Sequence, residues 1–101
     1  MDINEVISTL DQAWSDEGFL GRLRDGLFSV DDGEIFLKFL NSINIAENAS
    51  LPKRFISLIW YLPLFLRWQV ERVQKHSGNG VAFDDFITKV DNTLERVLGV
   101  P

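Results

Sequence analysis

Residues 55–66 read FISLIWYLPLFL, and within that run only Ser57 is polar. As a helix the run spans about 18 Å, well short of the roughly 30 Å hydrocarbon core a membrane-spanning segment must cross. Arg54 and Arg67 bracket it, so it does not extend in either direction. An interfacial anchor needs a charged face, which this run lacks. A helix that is hydrophobic on every side is usually buried on every side. The expectation is therefore a central helix over about 52–76, wrapped by the rest of the chain. Pro63 removes a backbone donor and leaves the Ile59 carbonyl without its usual partner, which predicts a kink there. A plain core and a core lining a ligand cavity need the same residue types, so both remain open. Beyond Leu66 the sequence RWQVERVQKHSG turns amphipathic, and the helix should emerge toward solvent.

The other helices are read from spacing. Ile3, Val6, Ile7, Leu10, Ala13 and Trp14 fall on one helical face, with Asp2 and Glu5 as a capping pair. Phe19, Leu20, Leu23, Leu27 and Phe28 continue a helical spacing, weakened by Gly21 and Gly26, which predicts a short or irregular second helix. In SVDDGEIFLKFLNSI, Asp31 or Asp32 is the expected cap, and Ile35, Phe36, Phe39, Leu40 and Ile43 form the face. After SGNG, a last helix starts at Asp84 or Asp85, with Phe83, Phe86, Ile87, Val90, Leu94 and Val97 inward. No alternating strand pattern exceeds a few residues. The reading is all-α: one compact domain over residues 1–101, a bundle of about five helices around the Pro-kinked one.

The chain is 46% hydrophobic and 25% charged, ordinary for a globular protein rather than a disordered one. It has no cysteine, which excludes disulfides and thiolate metal sites and fits a reducing compartment. MDINEVISTLDQAW has neither the basic start nor the apolar run of a secretory signal. The net charge of −5 argues against tracking a nucleic-acid backbone. That charge is uneven. Residues 1–50 hold ten acids and three bases, a net of −7, whereas residues 51–101 hold five acids and seven bases, a net of +2.

Catalytic signals are sparse. His76 is the only histidine, in QKHSGNG, where a helix end and its dipole explain it. One histidine without cysteine makes a poor zinc site. GNG lacks phosphate-loop spacing. The pairs Asp16-Glu17, Asp31-Asp32 and Asp84-Asp85 stand where helices should begin, so capping accounts for them without acid–base work. The expectation is a protein that is not an enzyme and carries no cofactor. What remains is binding. Asp16, Glu17, Asp25, Asp31, Asp32 and Glu34 lie within nineteen residues. Capping and solvation explain any one of them, and the cluster as a whole fits an interaction surface for a basic protein.

WSDEGFLGRLRDGLF (Trp14 to Phe28), EIFLKFL and RFISLIWYLPLFLRWQVERV resemble the small helical immunity proteins of bacterial contact-dependent growth-inhibition systems. The resemblance implies a cytoplasmic protein that binds a cognate toxin domain, usually a nuclease. It would neutralise the toxin by covering its active site or blocking substrate entry. Nuclease toxins are basic, which suits the acidic half of this chain. The alternative is a non-enzymatic helical adaptor or regulatory subunit that buries exposed apolar residues against a partner.

Overall fold

The computed structural model describes residues 2–101. The chain is all-helical, and the five expected helical runs are present, with the fourth divided into three. The segments are α1 (Ile3–Trp14), α2 (Phe19–Leu23), α3 (Val30–Asn41), α4 (Lys53–Trp60), α5 (Leu62–Trp68), α6 (Val70–Ser77) and α7 (Gly80–Leu98). α1 packs on α4 and α2, α2 meets α3, and α7 packs along α3, α5 and α6. No helix among the described residues is long and apolar enough to cross a membrane.

Asp2 caps α1 as expected, its carboxylate accepting from the Asn4 N–H at 3.2 Å. The other expected caps are corrected. α3 is capped by Ser29, whose Oγ accepts from the Asp32 N–H at 3.3 Å, so Asp31 and Asp32 lie inside its first turn. Ser29-Val30-Asp31-Asp32 has the serine-to-acid spacing of a capping box, with Asp in place of Glu, so a sequence signal for this start existed. α7 begins at Gly80, four residues before Asp84, and Asp85 instead pairs with Lys89 one turn on. α2 follows Gly18 with no side-chain cap, so Asp16 and Glu17 cap nothing either. It is the short helix its glycines predicted. Gly21 has a packing reason, because a Cβ there would stand 1.9 Å from the Ser15 carbonyl oxygen.

The fourth run is interrupted twice, each time at a residue that keeps right-handed helical backbone angles. Its first break falls at Tyr61, beside Pro63, which occupies the first turn of α5, where a missing N–H is tolerated. The last carbonyls of α4 are left without intrahelical partners. The Trp14 indole N–H reaches across from α1 to one of them, Leu58 O, at 2.9 Å. The second break, at Gln69, had no counterpart in the sequence reading. The Gln69 N–H turns back to Leu66 O at 3.0 Å, and the Gln69 side-chain amide takes Phe65 O at 3.2 Å instead. That buried amide also accepts from Arg72 at 3.2 Å.

Burial of the run is the largest correction. Phe55, Leu58, Ile59, Leu62, Phe65 and Leu66 are core residues, but Trp60 and Trp68 are each 61% exposed, and Ile56 and Leu64 also face outward. The reason is shape. The molecule measures 43 × 27 × 20 Å, and 20 Å is about two helix diameters. A helix in a slab two helices thick has neighbours on one side only. α1 covers α4, α7 covers α5 and α6, and the opposite face stays open. The same limit leaves Leu27 and Ile35, expected inward, 54% and 68% exposed.

The turn between α2 and α3 is clasped to the far half of the chain. Ser77 Oγ donates to Gly26 O at 2.5 Å and accepts from the Phe28 N–H at 3.2 Å. Asn79 donates to Phe28 O at 3.0 Å, and Arg72 to Arg24 O at 2.7 Å. Phe28 lies edge-on to Phe83, with ring centroids 5.0 Å apart, and Phe19 stacks on Phe36 at 5.2 Å. This clasp fixes the position of the acidic loop that contains Asp25.

Candidate partner-binding surfaces

The six acids proposed from sequence occupy three places. Asp16 and Glu17 lie in the turn after α1, Asp25 in the turn after α2, and Asp31, Asp32 and Glu34 on the first turns of α3. α2 runs between the first and last groups; Arg22 on it and Arg24 just after it reach toward them. Arg22 pairs with Asp32 at 3.4 Å, and Arg24 approaches Asp16 at 4.0 Å. Arg24 is also held by aromatic faces, 5.8 Å from the Trp14 ring centroid and 5.5 Å from that of Phe65. Glu17, Asp25, Asp31 and Glu34 are exposed and form no ion pair among the described residues. Open surface clefts lie beside them. Glu17 borders one with Thr9, Gln12 and Phe19. Asp31 and Glu34 border another, of about 470 Å³, with the exposed Ile35.

A second surface was missed by the sequence reading. Ile56, Trp60, Leu64 and Trp68 form an exposed line at four-residue spacing across α4 and α5. Tyr61, half-buried, joins the two indoles: its ring centroid lies 5.6 Å from that of Trp60 and 5.9 Å from that of Trp68. Two of the nearby charges are tied inward. Arg54 pairs with Asp11 on α1. Arg67 binds Asp91 on α7 at 2.5 Å and Pro63 O at 3.0 Å. The hydrogen bond to Asp91 raises the Arg67 guanidinium above its ordinary pKa, so it stays charged throughout. A signal for this face existed in the sequence. Stepping from Lys53 by 3.6 residues passes Ser57, Trp60, Leu64, Arg67 and Glu71, so the polar residues flanking the apolar run mark its wet side.

The interior holds little chemistry. Among the described residues, the two buried polar side chains are Gln69, already described, and Thr93, which donates to Asn41 Oδ1 at 3.3 Å. His76 is exposed in the last turn of α6, against Gly26. No group of three or more metal-ligating side chains occurs among the described residues. Pro63 borders an open groove with Trp60, Asp91 and Leu94. No family model matches the chain, and no curated protein or solved structure matches it.

Proposed function

We propose that this chain is a non-enzymatic immunity protein of the bacterial cytoplasm. It binds a basic, cognate nuclease toxin domain and blocks substrate entry, with Asp16, Glu17, Asp25, Asp31, Asp32 and Glu34 facing the toxin. One observation carries the reading. None of these six acids caps a helix; Asp31 and Asp32 suit the first turn of α3 and Asp16 and Asp32 have arginine neighbours, but Glu17, Asp25 and Glu34 have neither a first-turn position nor an ion-pair partner among the described residues. An acidic surface of this kind speeds encounter with a basic partner and disfavours wrong ones. The clasp through Ser77 and Asn79 supports the reading further, because it presents Asp25 on a held turn rather than a loose one.

The test is co-expression with the C-terminal domain of the protein encoded immediately upstream, scored for rescue of growth and for a purified complex. In that complex, Asp25→Lys with Glu34→Lys should slow association at least tenfold and flatten its dependence on salt. An unchanged rate and salt response would place the interface elsewhere, with Arg67, Trp68, Glu71 and Arg72 the next residues to alter. The exposed aromatic line favours the adaptor alternative, in which apolar contacts to a partner subunit dominate. Absence of any toxic activity in the upstream product would select that alternative.

A further inference from the structure

We infer that the exposed face of α4 and α5 is a two-fold interface that pairs this chain with a second copy of itself, antiparallel. This surface is separate from the acidic one, and the inference does not depend on the immunity reading.

Two indoles that are each 61% exposed, joined through Tyr61 and flanked by Ile56 and Leu64, form a continuous apolar patch. With aromatic side chains presenting about 150–250 Å² each, the patch amounts to roughly 400–500 Å² per copy. That lies in the range where the largest apolar patch of a monomer is often functional. Two copies with their flanking residues would approach the lower limit of a stable interface, about 1,200 Å² in total.

The occupant is identified by the order of residues along the ridge. In an antiparallel pair of identical helices, the residue n places before the axis faces the residue n places after it. Put the two-fold axis at Leu62. Trp60 of one copy then faces Leu64 of the other, and Ile56 faces Trp68, so each indole meets an aliphatic side chain. Continuing outward, Lys53 faces Glu71. Both are exposed, and neither forms an ion pair within its own chain among the described residues. The ridge is thus complementary to itself in size and in charge, as an isologous contact requires. Arg54 and Arg67, the cations that would repel a second copy, are already neutralised by Asp11 and Asp91.

The test is sedimentation velocity of the intact chain from about 1 to 200 μM, together with acrylamide quenching of tryptophan. The expected result is a concentration-dependent dimer in which quenching falls as dimer forms, because Trp60 and Trp68 become covered. Trp60→Lys should abolish association, with circular dichroism confirming that the variant is folded. Lys53→Glu or Glu71→Lys alone places like charges opposite each other twice per dimer and should raise Kd roughly tenfold. The two substitutions combined in one chain restore opposite charges and should recover most of that loss, which only the antiparallel register predicts. A monomer at 200 μM overturns the inference, as does a dimer indifferent to Trp60→Lys. Failure of the combined variant to recover overturns it as well. So does a monomer whose tryptophans are covered only by anionic lipid vesicles, which would make the face a membrane contact.

Discussion

Gly26→Ala is the substitution whose cost the structure specifies best, because a second glycine supplies its control. Gly26 has φ +77°, in the left-handed region, where a Cβ costs about 1–2 kcal/mol. A Cβ there would also lie 2.6 Å from Arg72 O and 2.8 Å from the Cβ and Cδ2 of His76. The carbonyl belongs to α6 and cannot step aside without moving the helix. Overpacking of this kind adds about 1–3 kcal/mol. The expected loss is therefore about 2–5 kcal/mol, a large share of the 5–15 kcal/mol typical of a small domain. Gly78 has φ +68°, and a Cβ there would meet nothing within 4 Å, so Gly78→Ala should show the backbone cost alone. Urea unfolding followed by far-UV circular dichroism, at one protein concentration, measures both. The Gly26 variant should lose about twice the stability of the Gly78 variant, with the denaturant slope unchanged. Equal losses would mean that the turn after α2 does not sit against α6, and the account of how Asp25 is held would fail with it.

Other consequences can be checked with the same measurement. Phe55 is fully buried and Phe55→Ala should cost about 3–5 kcal/mol, whereas Trp60→Ala, read at sub-micromolar concentration, should cost no more than about 1–2 kcal/mol. A Trp60 loss equal to that of Phe55 would restore the fully wrapped helix that the sequence suggested. Ser77→Ala leaves Gly26 O and the Phe28 N–H without their partner, and should cost about 1–3 kcal/mol. If unfolding is unaffected, water replaces the hydroxyl and the clasp contributes little to stability. Asp25→Lys with Glu34→Lys should stay within about 0.5 kcal/mol of the parent, since both side chains are exposed and neither caps a helix. A larger change would show that these acids serve the fold.

Where a segment alternates between apolar and polar at helical period, its sequence already states which side is wet. α7 is the clearest case: Phe83, Phe86, Ile87, Val90, Leu94 and Val97 were all assigned inward by spacing and all are buried. The all-helical class followed from the same periodicity, and the short α2 from its glycines. Helix starts were less legible, because several short polar residues stood near each one. At α3, Ser29 took the capping position and left Asp31 exposed in the first turn and Asp32 half-exposed beside Arg22, so neither acid is held by a cap.

The apolar run 55–66 carries no such internal contrast, so its own residues do not say which side faces water. That was decided by the number of neighbours the chain could supply. A slab two helices thick gives α4 a cover from α1 and gives α5 a cover from α7, and it has no third layer. Trp60 and Trp68 are exposed for that reason and not because of their own chemistry. Likewise, the break beside Pro63 was readable from one residue, whereas the break at Gln69 was not. The latter depends on a side-chain amide being held in the core, where it can replace a backbone donor at Phe65 O and meet Arg72. Local sequence set the elements and most of their inward faces. The count and placement of packed neighbours set which apolar residues were left over to meet something else.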